Sequence, residues 1–429
     1  MRQFFVFLLL SGAVFAVTSP AQSESGGKSF PSDSAAAVAF LEARLKENPE
    51  SLDEVLKSKV ARTALSKEDS AKAEELIRAW ATRRIRSDRA EEMKKRVLTL
   101  GKLKMPFFFR TFGKKPESGW SLYISMHGGG GTTARVNNQQ WENQKRLYQL
   151  KEGIYLAPRA PTNTWNLWHQ GHIDEFFLRL ISNMVAFEGV DPDRVFLMGY
   201  SAGGDGVYQL APRLADHFAA ASMMAGHPNE TSPLGLRNLP FTIHVGERDS
   251  GYNRNAKARD WKVSLAGLHE KDPEGYTHLV KLHAGRGHWM NLEDKEAIDW
   301  MAKYRRQRYP ERIVWKQDDV THDRFYWLSL PKESVKARGL IVATRSGQTI
   351  EIESADVEQL TILLSDYFID LDKPVVIKHG KVELFRGSVS RTTETVAQTI
   401  LDDGGLGVGF SASQQVKLTD SSQPAAEQQ

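Results

Sequence analysis

Ser201 stands in Gly199-Tyr-Ser201-Ala-Gly203, directly after the apolar run Val195-Phe-Leu-Met198 and ahead of the helix-like stretch from Asp205 to Leu214. A strand that runs into G-x-S-x-G and then into a helix holds its serine on a sharp turn, with the hydroxyl clear of the sheet. The flanking glycines are needed there because side chains would collide with the neighbouring strand and helix. Five such residues in isolation commonly form no more than a connecting loop, and the strand before and helix after separate the two readings. Serine is a poor nucleophile unless a base stands within hydrogen-bond reach. Of the twelve histidines, the base should be the one that follows the last strand of the sheet. That strand is His278-Leu-Val-Lys-Leu-His283, and Ala284-Gly-Arg-Gly-His288 is the loop beyond it, so His288 is the candidate base. Its alternative role is to cap a helix starting near Asp294. His278 and His283 lie within the strand and are read as packed or hydrogen-bonded. The acid that orients the base should end the preceding strand, Phe241 to Val245. Asp249 is preferred there over Glu247, which is nearer the strand and can pair with Arg248 or Arg254. The chain order Ser201, Asp249, His288 is the one expected when the serine sits on such a turn.

A second signal is Met126-His-Gly-Gly-Gly-Gly131, four glycines at the end of the apolar run Ser121 to Ser125. Glycine loses more conformational freedom on folding than any other residue, so such a run marks a place where backbone must approach something closely. Attack of Ser201 on a carbonyl would put negative charge on oxygen, and fixed donors must receive it. The N–H of Ala202 supplies one, and the run Gly128 to Gly131 supplies the other. Losing one such donor typically costs ~3 kcal/mol of transition-state stabilisation. The rival reading, a phosphate cradle, lacks the accompanying G-x-x-x-x-G-K-[ST] or G-x-G-x-x-G pattern. His127 is read as a brace for this loop that faces the substrate site without reacting.

Trp165 and Trp168, in Asn163-Thr-Trp-Asn-Leu-Trp-His169, follow another strand and could wall a pocket for an aromatic or sugar ring, or pack in the core. His227, after the strand Phe218 to Met224, is a further candidate pocket residue. His169-x-x-His172 has metal-pair spacing, but no carboxylate completes it, so no metal is assigned. Asn229-Glu-Thr231 is a glycosylation sequon, with meaning only in a eukaryotic secretory route.

These residues must be held by a scaffold. From Lys102 onward, short apolar runs alternate with helical stretches: Leu122–Met126, Gly153–Ala157, Arg194–Gly199, Phe218–Met224, Phe241–Val245 and His278–His283 are expected strands. That alternation predicts an α/β fold, a mostly parallel sheet with helices on both faces and chemistry at the strands' carboxyl ends. Before it, residues 33–101 read as a helical N-terminal extension, with Ser66-Lys-Glu-Asp69 capping a helix through Met93. The catalytic unit spans 102–308 and ends with a helix from Asp294 to Arg306. Residues 309–419 read as a small antiparallel β-sandwich, and 420–429 as a disordered polar tail.

With His127-Gly-Gly-Gly130, Gly199-Tyr-Ser-Ala-Gly203, Asp249 and His288 in place, residues 105 to 306 resemble the α/β-hydrolase superfamily. Within it they look most like exported esterases related to feruloyl esterases and polyhydroxybutyrate depolymerases, and Val190-Asp-Pro-Asp-Arg-Val195 is similar to their lead-in to the serine turn. The resemblance implies Ser201 as nucleophile, His288 as base, Asp249 as acid, and Gly129, Gly130 and Ala202 as oxyanion donors. The chain departs from that pattern in having no cysteine and in Ala225-Gly-His227.

Composition bounds the rest. A chain of 429 residues, 41% apolar and 26% charged, is long enough for two or three domains. Its net charge of +4 is small, and no basic stripe alternates with aromatics, which argues against nucleic acid as a partner. Arg83-Arg-Ile-Arg86 reads as the solvated face of a charged helix. The absence of cysteine excludes disulfides, thiol nucleophiles and Cys-based zinc sites. Residues 1–16, one positive charge and a short apolar core ending Ala13-Val-Phe-Ala16, read as a secretory signal peptide followed by a linker at 17–32. The expectation is therefore a periplasmic or secreted serine hydrolase. It would act on small or polymeric carboxylic esters without cofactor, and would not associate with a membrane once the signal is cleaved. The alternatives are a prolyl-oligopeptidase-like peptidase, whose usual propeller is not readable here, and a binding module with a decayed site. In either the esterase or the binding module, the sandwich is a candidate polysaccharide contact.

Overall fold

The computed structural model describes residues 33–47 and 52–418, so the segments read from the sequence as signal peptide, linker and tail lie outside it. The chain opens with helices α1 (Asp33–Glu47), α2 (Leu52–Lys57), α3 (Lys67–Asp88) and α4 (Ala90–Lys95). The Ser66 hydroxyl accepts from the Asp69 N–H at 3.1 Å, satisfying one of the orphan donors at the start of α3. The helix expected through Met93 breaks at Arg89, and α4 ends at Arg96, whose φ of 54° is left-handed.

An eight-stranded sheet follows, built from β1 (Val97–Leu100), β2 (Leu103–Phe112), β3 (Trp120–Met126), β4 (Gly153–Pro158), β5 (Val190–Tyr200), β6 (Ala220–Met224), β7 (Phe241–Gly246) and β8 (His278–His283). Its order is β1-β2-β4-β3-β5-β6-β7-β8. The strands β4, β3, β5, β6, β7 and β8 pair in parallel, while β2 runs antiparallel to both β4 and the edge strand β1. This is the α/β-hydrolase fold. Strands β4 and β7 are buried along their whole length, as a sheet covered on both faces requires. Alternate residues of β3 serve opposite faces. Leu122, Ile124 and Met126 join the core under α6 (His172–Glu188), α7 (Ala202–Arg213) and α8 (Arg254–Lys271). Tyr123 joins the smaller core under α5 (Ala134–Gln144) and α9 (Glu296–Met301).

Three sequence expectations need correcting here. Residues 97–101, assigned to the helical extension, contain an edge strand of the catalytic sheet. Pro106 hid the pair, yet it sits opposite Val97, the first residue of β1, at the end of the ladder, where a missing N–H does little harm. The final helix is a short 3-10 turn at Glu293–Lys295 followed by α9, well short of Arg306.

The third concerns the C-terminal unit, which is not purely antiparallel. Its strands are β9 (Arg312–Lys316), β10 (Arg324–Phe325), β11 (Leu328–Ser329), β12 (Leu340–Ser346), β13 (Thr349–Ala355), β14 (Gln359–Leu364), β15 (Val375–His379), β16 (Val382–Gly387) and β17 (Ala412–Lys417), with helix α10 (Thr393–Leu401) before the last. They form a four-stranded sheet, β10-β11-β14-β17, and a five-stranded sheet, β16-β15-β13-β12-β9. After β13 the chain crosses to the other sheet as β14 and returns as β15, so β13 and β15 pair in parallel. The apolar run Phe325 to Leu330 is folded at Tyr326 (φ 53°) into the β10–β11 hairpin.

The three parts share cores. Leu41, Ile77 and Trp80 of the N-terminal helices pack with Val396 and Ile400 of α10, and Trp315 and Trp327 of the C-terminal unit continue the core beneath the catalytic sheet. At that seam Asp174 on α6 accepts from Arg213 on α7 at 2.5 Å and lies 2.8 Å from His322 Nε2 of the C-terminal unit. Burial alone would lower the pKa of His322, but the hydrogen bond and charge of Asp174 outweigh it and hold it above the ordinary value. A raised folded value means stability present below pH ~6.5 that is lost as the pH rises through the folded pKa. The destabilisation by His322→Gln, read from urea midpoints, should therefore be largest near pH 6 and shrink toward pH 8.5. Asp174→Ala, which strands the buried Arg213, should cost about 3–5 kcal/mol.

Candidate active site

Sheet order brings the candidate residues together. β3 and β5 are neighbours although β4 lies between them in sequence, and Met126 is in register with Gly199. The glycine loop and the serine turn therefore leave the sheet side by side. A Cβ on Gly203 would lie 2.1 Å from the Met126 carbonyl oxygen, and one on Gly199 2.2 Å from the Gly203 carbonyl oxygen. Backbone fills the space on both sides of the turn, which is why both positions are glycine. Ser201 itself has φ 58° and ψ −122°, a conformation that costs a non-glycine residue of the order of 1–3 kcal/mol and persists only when its surroundings impose it. Here the Ser201 N–H is anchored on the Met224 carbonyl at 2.9 Å.

Asp249 and His288 arrive from the loops after β7 and β8. Ser201 Oγ lies 3.0 Å from His288 Nε2, and His288 Nδ1 lies 2.8 Å from Asp249 Oδ2. Asp249 is 3% exposed. A hydroxyl, an imidazole and a buried carboxylate in one line can pass the hydroxyl proton to the ring while the carboxylate holds the ring's other N–H. Tyr200, beside the serine, fixes the far side of the base loop. Its hydroxyl donates to the His288 carbonyl at 2.6 Å and accepts from the Met290 N–H at 3.2 Å.

The glycine loop needs its residues sorted. Gly128 is in van der Waals contact with Ser201: a Cβ on it would meet Ser201 Cβ at 3.1 Å. Gly129 has φ 107° and lines the cleft with Ser201. Gly130, expected to be an oxyanion donor, instead donates its N–H to Asn137 Oδ1 at 2.8 Å and cannot serve a substrate at the same time. The N–H groups of Gly129 and Ala202 have no hydrogen-bond partner among the described residues and are the two left to receive an anion. Asn137 is the part that the sequence did not disclose. It also reaches Asn163 at 3.1 Å, so one buried amide ties the glycine loop to the segment after β4. Its signal was its place one turn into the helix following the glycines.

Two aromatic assignments change as well. His127, expected to face the substrate, is fully buried; it touches the Gly128 carbonyl at 2.6 Å and accepts from the Ala160 N–H at 3.2 Å. Burial lowers its pKa to about 3. Trp168 is also fully buried and donates its Nε1–H to the His127 carbonyl. Both residues brace the loop from behind. Trp165 is 65% exposed and lines the cleft beside Gly129 to Gly131. His169 and His172 face Trp165 and Phe176 edge-on and do not converge on a common ligand.

The cleft has two lobes that meet at Ser201. One, about 670 Å³, is walled by Gln140, Gln144, Leu147, Tyr200, Trp289 and His288. The other, about 480 Å³, holds Trp165, Asp205, His227 and Asn229. Tyr252 and Arg254 line both. His227 thus lies where the sequence suggested, and its N–H donates to Asp205 Oδ1 at 2.6 Å. Burial, the largest effect, raises the Asp205 pKa to about 6 against the His227 N–H and the charges of Arg254 and His288. Tyr252, Arg254 and Trp289 were not assigned to the cleft from the sequence, although each lies within five residues of Asp249 or His288. Among the described residues no helix is long and apolar enough to cross a membrane.

No protein-family model matches the chain, and a search of curated proteins finds no relative. Solved structures similar to it include a thermostable esterase, at 18% identity and TM-score 0.39, with 49% of this chain matched to 62% of that one. Others are the poly(3-hydroxybutyrate) depolymerase LpqC from Bordetella parapertussis (15%, 0.35, 46% matched to 83%) and a ferulic acid esterase (14%, 0.31, 46% matched to 98%). The chain thus spans under two thirds of the thermostable esterase.

Tyr200→Phe removes both hydrogen bonds to the base loop without changing shape. Amide exchange should accelerate across residues 286–292 and stay unchanged in β5, as read by hydrogen-exchange mass spectrometry.

Proposed function

We propose that this chain of α/β-hydrolase fold cleaves carboxylic esters through an acyl-enzyme on Ser201. The observation that carries the reading is the line Asp249–His288–Ser201, hydrogen-bonded at 2.8 and 3.0 Å and open to the cleft at its serine end. His288 Nε2 takes the hydroxyl proton as Oγ bonds to the ester carbon. The carbonyl oxygen becomes an oxyanion between the N–H groups of Gly129 and Ala202, and collapse of that intermediate expels the alcohol, which receives the proton from His288. A water molecule, deprotonated by the same nitrogen, then attacks the acyl carbon. The second collapse frees the acid and returns the proton to Ser201. Asp249 keeps the proton on His288 Nδ1 and stabilises the imidazolium while it exists.

The two lobes give the acyl and alcohol portions separate seats. The half-exposed Trp289 and the exposed Trp165 and Tyr252 favour flat or chain-like apolar groups, such as aromatic acids of plant cell walls or hydroxyacid polyesters. With the N-terminal sixteen residues read as a signal, the protein acts outside the cytoplasm, and the C-terminal sheets serve as a contact for a polymeric substrate.

Ser201→Ala should reduce kcat on p-nitrophenyl butyrate by about 10⁴-fold or more; turnover equal to the parent protein would remove the proposal. Asn137→Ala releases Gly130 and loosens the donor loop, so kcat should fall about 10- to 100-fold with KM little changed. A fluorogenic peptide panel run beside feruloyl and hydroxybutyrate esters separates the peptidase alternative, which would be favoured by cleavage of the peptides alone.

A further inference from the structure

On the same sheet, away from Ser201, β7 and β8 carry two histidines on one face. His244 pairs in register with Lys281, and His283 lies two residues further along β8. Both rings are buried, with His244 Nδ1 3.1 Å from His283 Nε2. Glu296, at the start of α9, brings Oε1 to 3.6 Å from His244 Nδ1. One ligand atom from each of the three residues lies within 4.8 Å of the other two. Ligands bound at about 2.0–2.1 Å in a tetrahedron are about 3.3 Å apart, which the two closer separations bracket.

Proton bookkeeping says what these atoms face. The Thr242 hydroxyl donates to the Leu279 carbonyl at 3.0 Å, so its oxygen must accept from His244 Nε2, 2.9 Å away. The proton of the neutral His244 ring is thereby fixed on Nε2, and its Nδ1 presents a lone pair. On the other ring, His283 Nδ1 faces Glu293 Oε2 at 3.3 Å, while Glu293 Oε1 is held by Arg286. A carboxylate opposite Nδ1 draws the His283 proton there and leaves a lone pair on Nε2. Two lone pairs then point at each other, beside Oε1 of Glu296. Histidines that ligate metals are oriented in this way, by an outer acceptor on the ring nitrogen that does not bind. Lys281 contacts Glu296, 2.7 Å from Oε2 and 2.6 Å from Oε1. Its half-exposed ammonium can stay on Oε2 while Oε1 turns to a cation.

We propose that His244 Nδ1, His283 Nε2 and Glu296 Oε1 form a binding site for a divalent transition metal of the zinc class, with water as the fourth ligand. Two imidazoles and one carboxylate suit zinc in preference to calcium or magnesium. Such an ion would fasten β7, which leads to Asp249, to both flanks of the loop that carries His288. It is a structural clasp and takes no part in the ester chemistry.

The test uses the full chain, stripped with a chelator and titrated with Zn²⁺, with metal content measured by plasma mass spectrometry. One zinc per chain is expected, with a rise in Tm and with the ligand-field spectrum of four-coordinate cobalt when Co²⁺ replaces it. Glu296→Gln removes a ligand from a half-exposed position, and Thr242→Val removes the outer acceptor. Each should weaken binding by about 10- to 100-fold or more while the metal-free far-UV spectrum stays that of the parent. Failure of the parent chain to take up stoichiometric zinc, or equal uptake by the parent and Glu296→Gln, would overturn the proposal. None of these readings depends on ester turnover.

Discussion

The site depends on how closely two turns of backbone can pass. β3 and β5 are adjacent in the sheet, and the loops leaving them are packed until no side chain fits between: Gly203 lies against the Met126 carbonyl, Gly128 against Ser201. That contact goes with the positive φ of Ser201, and Gly129 and Ala202 line the same cleft as its hydroxyl. The strain is local, and the buried carboxyl ends of β3 and β5 with the fully buried β6 sustain it.

Around that contact, each candidate catalytic group is held by a buried partner outside the Ser201–His288–Asp249 line. Asn137 holds the glycine loop through Gly130, Trp168 and His127 support it from beneath, and Tyr200 holds the base loop through the His288 carbonyl and the Met290 N–H. The histidine and glutamate cluster beneath β7 and β8 continues this pattern on the other side of the base loop. The wider architecture does likewise, since the C-terminal sheets share a core with the eight-stranded sheet and α10 shares one with the N-terminal helices.

The positions of Ser201, Asp249 and His288 were legible because each follows a strand whose apolar run is unmistakable, and sheet topology then dictates which ends meet. β1 and β2 were obscured by Pro106 and by the charged helix just before them. Local patterning also could not tell Gly129 from Gly130, since only the three-dimensional fold shows that Asn137 occupies one of the two N–H groups. Trp165 and Trp168 look alike in sequence and differ only in which side of one turn faces the core. The parallel pair β13–β15 was hidden for another reason: pairing between strands that are not neighbours in sequence leaves no mark in either strand.

The most direct measurement is intact-protein and peptide mass spectrometry after a fluorophosphonate is added to the folded protein. The account expects one adduct per chain, located on Ser201, formed far more slowly when His288 is replaced by Gln. An unmodified protein, or an adduct on any other residue, would contradict it.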